Sequence, residues 1–399
     1  MKKLLVILLV TITALSLFAA CANEKAVENV AEEGKPVVTE WAKENKINDG
    51  SETEAELYEK AKKEGKVVVY SSSSRMAKAC ESFMAEYPGI EAEVVSLKVD
   101  VIKEKVMAEH EAGVSGADLI HVTDDDGSLY LEYVMPGIMS SYYPDDIMAH
   151  FTTPKSELKG FPFQIAAVMW FYNTELNPDG VDIDSWWDLT REEWRGKIIM
   201  NDLLTNQSYI AQFAALGLVK DQLIEEYKRE FGEDIVYTCG VNDPVYELVY
   251  RLLNNDIVYT PGSDEAVTAC GAAGVTENKI AWGPSSKLRN NENKGFHLGI
   301  INMKPAIGIP NYHCLCVIDN CDHPNAAKLL TRYLAGGSDG QSAGYVPFNT
   351  LGAWSLRDDI PLLDGANPIT DYTFVPSDPS YIYEATPDMA DFVLKIVGK

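Results

Sequence analysis

The sequence predicts an α/β protein with parallel sheets covered by helices. Three observations predict it. Short apolar strands alternate with amphipathic helices from residue 54 to about 122, and the same alternation returns between 168 and 282. The chain has 399 residues, 46% apolar and 24% charged, enough for two packed domains. That composition excludes collagen-like, coiled-coil and wholly disordered classes.

In chain order, Ser51 and Glu54 form a capping-box pattern that opens a helix running to Lys63 and stopped by Gly65. Residues 67–70 make a strand, followed by a helix with Met76, Cys80, Phe83, Met84 and Tyr87 on one stripe. A strand at 91–95, a helix at 100–111 and a strand at 119–122 complete the first run. Strands at 168–172, 197–200 and 279–282 alternate with helices at 209–216, 221–229, 245–253 and 263–270. Pro324 and Gly336 bracket a helix with Ala327, Leu330, Tyr333 and Leu334 inward. From Tyr345 onward, Pro, Asp and Gly predict a wrapping tail.

The N-terminus carries an address. Lys2 and Lys3 precede an apolar run over 4–18, then Ala19, Ala20 and Cys21. A cationic start, a short apolar core and small residues before a cut describe a secretory signal at 1–20. Leu17-Phe18-Ala19-Ala20-Cys21 resembles a bacterial lipoprotein box, so Cys21 is the expected lipidation site. Residues 21–50 are polar and read as a tether. No other stretch is apolar enough to span a bilayer. The expected location is extracytoplasmic, lipid-anchored to the cell membrane.

A formal charge of −26 opposes nucleic-acid binding, which requires many cationic contacts. The six cysteines beyond Cys21 permit disulfides in such a compartment, but buried free thiols are the preferred reading, ahead of a metal at Cys314, Cys316 and Cys321.

Candidate binding residues cluster after strands, where open parallel sheets gather ligands. Ser71, Ser72, Ser73, Ser74 and Arg75 offer hydroxyls, helix amides and a cation suited to an anionic or polar ligand. Asp124 and Asp125, with Asp126, either receive a cation or cap a helix. Asn201, Asp202, Asn206 and Ser208 form a third loop, and Ser285, Ser286 and Lys287 a fourth. Solvated turns are the alternative for both. Trp170 and Tyr172 either floor a cleft or pack a core. No G-x-S-x-G elbow, H-E-x-x-H helix or Walker loop is present, so no catalytic residue, metal or cofactor is expected.

Residues 61–71 (AKKEGKVVVYS), Tyr87-Pro88-Gly89-Ile90, Gly116-Ala117-Asp118-Leu119, Tyr172-Asn173-Thr174, Trp186-Trp187-Asp188-Leu189-Thr190, Trp194-Arg195-Gly196-Lys197-Ile198 and His323-Pro324-Asn325-Ala326-Ala327-Lys328 together resemble the ferric-iron class of extracellular solute-binding proteins of ABC importers. The resemblance implies a two-lobed periplasmic-binding-protein-like type II fold with two crossover segments as a hinge, placed near 165–172 and 300–310. Lobe 1 is then 51–165 plus 311–399, and lobe 2 is 166–310. It also implies a small-molecule ligand, an ABC permease with its ATPase as partners, and no enzyme activity. Iron-binding members carry adjacent tyrosines where this chain has Ser285-Ser286. An anionic, organophosphate-like ligand is therefore favoured, with ferric iron, thiamine or a polyamine as alternatives. A ligand sensor for a membrane receptor is the alternative class.

Overall fold

The computed structural model describes residues 34–205 and 207–398. The leader, Cys21 and Asn206 lie outside the described residues. The strands are β1 Lys66–Ser71, β2 Glu91–Ser96, β3 Leu119–Thr123, β4 Met139–Ser140, β5 Phe161–Asn173, β6 Ile198–Asn201, β7 Val258–Thr260, β8 Ile280–Pro284, β9 Leu298–Ile301 and β10 Pro310–Ile318. The α-helices are α1 Glu40–Glu44, α2 Glu54–Glu64, α3 Met76–Glu86, α4 Val99–Glu111, α5 Asp145–Met148, α6 Gln207–Ala215, α7 Lys220–Phe231, α8 Pro244–Leu253, α9 Ser263–Gly271, α10 Asn290–Lys294, α11 Pro324–Leu334 and α12 Pro379–Val397.

Strand order is β2-β1-β3-β10-β5-β8-β6-β7. The β2-β1-β3 and β8-β6-β7 sets are parallel, as the alternating pattern requires. β5 and β10 are antiparallel to their neighbours, a departure from the all-parallel expectation. The reason is their role as connections. β5 pairs with β10 over residues 161–167 and with β8 over 168–171, so one strand serves two sheets. The return path runs from β9 into β10.

Two apolar cores flank this crossing. The first gathers Val67, Val69, Phe83, Leu119, Ile120 and Phe161 with the inner face of α11. The second gathers Trp170, Trp186, Trp282, Phe213, Leu248 and Leu252. Trp170 lies on Trp282 with ring centroids 5.1 Å apart and planes 6° apart. Such rings contribute apolar area and packing geometry together.

Three expectations are corrected. Helix α2 is capped by Thr53, whose hydroxyl accepts Glu56 N–H while Glu56 accepts Thr53 N–H; Ser51 instead bonds Asp49. The expected tether ends earlier than residue 50. Val37 N–H donates to Met135 O at 2.9 Å, and Ala42 and Ile47 are fully buried in the first core. The stretch from Tyr345 onward, expected as a wrapping tail, contains the long helix α12. α12 buries Ile382, Met389, Phe392 and Val393 in the second core. It escaped the sequence reading because Pro379 and Pro387 look like breakers, yet Pro379 occupies the helix's first turn, where no amide donor is needed.

Candidate functional site

A cavity of about 580 Å3 lies between the two cores. Loops following β1, β3, β7 and β8 line it, with the end of β6 and the starts of α4, α6 and α9. It therefore sits where strand ends and helix N-termini converge. Its size suits a small organic molecule.

From the first lobe come Ser72, Ser73, Ser74 and Arg75. The Arg75 Nε lies 3.3 Å from the Ser73 hydroxyl, and the guanidinium sits 5.0 Å above the Phe348 ring centre. Its Nη1 is buried without a hydrogen-bond partner. From the second lobe come Ser286, Lys287 and Arg289, in the 3-10 turn Ser285–Arg289. Arg289 Nη1 donates to the Ser286 carbonyl and, at 3.2 Å, to its hydroxyl.

Burial, then repulsion from Arg289, pushes Arg75 down to about 10, still cationic at neutral pH. Burial also lowers Arg289, against the attraction of Asp264. Among the described residues neither arginine has a carboxylate within ion-pair distance. The other cations differ. Lys287 pairs with Asp264 at 2.9 Å and Lys103 with Asp126 at 3.1 Å. Burial opposes the Lys103 charge, but Asp126 and Asp124 outweigh it and raise its pKa. The cleft thus holds two half-buried cations without an ion-pair partner, an arrangement that an incoming anion relieves.

Asp125 spans the lobes, accepting from Ser208 on α6 and from Asn311 on β10. Burial raises its pKa. Asn201 lines the cavity and donates to the Tyr209 hydroxyl at 3.1 Å. Tyr209 is the one tyrosine in the lining among the described residues, and burial pushes its phenol upward, away from phenolate.

Several candidates stand elsewhere. Ser71 is fully buried under the cavity floor, 2.9 Å from His121 Nδ1. Ser285 is fully buried too. Its hydroxyl accepts Ala167 N–H at 3.0 Å and donates to Gly352 O. The Asp124 carboxylate accepts the Leu129 and Tyr130 amides at 3.0 and 3.2 Å, capping the π-helix Leu129–Val134. Burial and nearby Asp126, partly offset by Lys103, push it up to about 6. Asp202 accepts Leu204 N–H at 3.0 Å and does not line the cavity. Trp170 is core, and Tyr172 packs against that core. The common reason is that each of these groups is used by the fold, in a core or by a hydrogen bond.

Sequence reasoning missed Lys98, Lys103, Arg289, Asn311 and His313 in the lining. Arg289 had a local signal, three residues beyond Ser286 in a helical turn. His313 had none, because β10 reaches the cleft only through tertiary pairing.

Two His/carboxylate groupings that could gather an ion, His150-Asp358-Asp359 and Asp184-Asp188-Glu230, lie outside the cavity among the described residues. Arg357 holds Asp359, and Arg191 holds Asp188 and Glu230. The six described cysteines are free, and burial raises the pKa of the five buried thiols. No helix of the described residues is long and apolar enough to cross a membrane.

Residues 78–372 match the family described as bacterial extracellular solute-binding protein. No curated protein sequence matches the chain. Iron-bound HitA from Pseudomonas aeruginosa superposes with a TM-score of 0.62 at 12% identity, over 83% of this chain and 99% of that one. AfuA from Actinobacillus pleuropneumoniae with bound fructose-6-phosphate gives 0.61 at 18%, over 84% and 99%. IdiA (FutA) from Trichodesmium with iron and citrate gives 0.57 at 17%, over 84% and 100%. At these identities the structural likeness is one of fold, that of two-lobed periplasmic binding proteins. The chain belongs to the bacterial extracellular solute-binding family, whose members bind small solutes outside the cytoplasm for ABC importers.

Proposed function

We propose that this protein captures a small anionic organic solute of the organophosphate class and presents it to an ABC permease and its ATPase. The observation that carries the reading is the pair Arg75 and Arg289, one per lobe, half-buried at the cleft without carboxylate ion-pair partners among the described residues. An anion seated between them relieves their repulsion and gains charge-assisted hydrogen bonds. Because the two cations come from different lobes, the anion is bound best when the lobes close, so ligand favours the closed form. Phosphate-bearing solutes fit better than bare Fe3+, because a ferric site needs phenolates and carboxylates rather than guanidinium groups. The sugar phosphate held by AfuA is a chemical precedent for such a ligand in this fold.

The chain's negative charge does not defeat anion capture, since charges beyond about 8 Å are screened at physiological salt. Within this reading residues 166–310 form lobe 2 together with α12, and β5 and the β9–β10 segment act as hinge. Cys21, lipidated after removal of 1–20, anchors the protein outside the cell membrane. Cys21→Ser should release the protein from the membrane fraction or block processing; unchanged membrane retention with correct cleavage would refute the anchor.

The deciding test is calorimetry and thermal shift with fructose 6-phosphate, a phosphonate, inorganic phosphate, citrate, thiamine, spermidine and ferric ion. A ligand bound only by the folded form raises Tm by mass action. The phosphate-bearing compounds should give the largest shift, with compaction in small-angle scattering. Stoichiometric iron with a tyrosinate charge-transfer band would overturn the reading.

A further inference from the structure

Behind the cleft wall, three neighbouring strands bring together Ser71 at the end of β1, His121 on β3 and His313 on β10. Ser71 and His121 are register partners, and His313 pairs with Thr123 two residues further along β3. The Ser71 hydroxyl lies 2.9 Å from His121 Nδ1, and His121 Nε2 lies 3.1 Å from His313 Nδ1. His313 lines the cavity, and its Nε2 has no partner among the described residues. The three groups form a single file from the buried interior to the ligand space.

Both rings are neutral. His121 is fully buried, with T-shaped contacts to Phe163 and Phe348, and burial, then His313 and Arg75, hold its pKa far below the ordinary range. Burial and Arg75 push His313 down to about 3. A neutral imidazole carries one N–H, and the bond made by one nitrogen fixes the role of the other. Two arrangements satisfy the file. In the outward one, Ser71 O–H donates to His121 Nδ1, His121 Nε2–H donates to His313 Nδ1, and His313 Nε2–H points at the cleft. In the inward one, every donor reverses and Ser71 must donate to the Ser73 carbonyl instead. That contact is 3.3 Å, against 2.9 Å to His121, and hydroxyl donors prefer the shorter distance. In both arrangements the hydroxyl oxygen still accepts Ser73 N–H at 3.1 Å.

We infer that His313 is a ligand-contacting residue whose Nε2–H donates a neutral hydrogen bond to an acceptor oxygen of the bound anion, with His121 and Ser71 as positioning residues that fix its tautomer. This rests on the anion reading of the cleft. The donor adds no further cation beside Arg75, so it selects for an acceptor at one place on the ligand rather than for charge in general. It also gives Ser71, which never reaches the cavity, a role at two removes.

The first experiment needs no ligand. Long-range 1H–15N spectra of the purified protein with 15N-labelled histidine should show both rings as neutral Nε2–H tautomers at pH 7. An Nδ1–H tautomer or an imidazolium at His313 overturns the inference. The second measures affinity for fructose 6-phosphate and inorganic phosphate. His313→Asn should weaken binding about tenfold or more, the loss of one hydrogen bond to a charged group. His313→Gln places an amide nitrogen where Nε2 stood and should recover much of that loss. Ser71→Ala should weaken binding less than His313→Asn and shift the tautomer signals, with Ser71→Thr restoring both. Equal losses for His313→Gln and His313→Asn overturn the inference. If neither compound binds the wild type, the anion reading falls and the ligand contact with it, and the tautomer spectrum separates that result from a failed relay.

Discussion

Two loops of this molecule are written almost alike and do different work. Ser71–Ser74 with Arg75 follows β1, and Ser285–Ser286 with Lys287 and Arg289 follows β8. In the first loop Ser72 and Ser74 are exposed, Ser73 is half-buried, and the following arginine rests on an aromatic ring. In the second, Ser285 and Ser286 are buried, and the Ser285 hydroxyl ties the crossover strand at Ala167 to the tail at Gly352. Gly352 has φ +76°, and a Cβ there would stand 2.1 Å from the Ser285 carbonyl oxygen, so the tail can approach this closely only through glycine. A row of serines is thus a ligand loop only where it faces the cavity without tying distant segments together. In the second lobe the hinge has taken the Ser285 hydroxyl and Arg289 bonds that of Ser286, and recognition passes to the arginine at the end of the turn.

The sharpest break of this comparison is to remove the feature the loops share. Arg75→Ala or Arg289→Ala should each weaken fructose 6-phosphate binding about 10- to 100-fold, the value of charge-assisted hydrogen bonds in a dry site. The ligand-free protein should lose little or no stability, because each change relieves repulsion between two half-buried cations. Unchanged affinity in calorimetry would remove the arginines from the site.

Next in size is a difference in stability. Ser285→Ala orphans the Ala167 amide and the Gly352 carbonyl and should cost about 1–3 kcal/mol in urea unfolding. Ser73→Ala should stay within about 0.5 kcal/mol, as for surface sites. Equal costs would erase the distinction between hinge serine and ligand serine.

A smaller effect runs in the opposite direction. Asp264→Asn frees Lys287 from its 2.9 Å partner and adds an uncompensated cation to the cleft, so phosphate affinity should rise a few-fold, the scale of an exposed ion pair. The smallest effect is its pH dependence. The hydrogen bond from Lys287 lowers the Asp264 pKa below 3.8, so the pair's contribution is present above that value and lost as pH falls through the lowered pKa. The stability difference between wild type and Asp264→Asn should therefore close in acid, which a urea series across pH 2.5–6 would read (roughly spanning the carboxylate range).

Much of the scaffold was legible because it is local. The β1-α3-β2-α4-β3 run follows apolar periodicity, and Gly65, Pro324 and Gly336 punctuate it as turn chemistry requires. Legibility failed where the fold claims a side chain, through a nearby backbone group for Asp124 and Asp202 and through partners far along the chain for Ser285. Asp124, Asp202 and Ser285 have the composition of ligand residues, yet each is committed to a backbone group. Trp170 belongs to a tryptophan stack assembled from three distant segments.

By itself the sequence determined the alternation of strands and helices, the family, and the placement of serine- and aspartate-bearing loops at strand ends, because periodicity and turn residues act over a few positions. The tertiary structure alone decided that β5 would serve both sheets, that α12 would return to the second lobe, and that Arg75 and Arg289 would meet unpaired across a cleft with His313 at its wall. Those outcomes depend on burial and on which long-range partner claims each polar group, and the free energy of a hydroxyl or charge is set by its surroundings after folding.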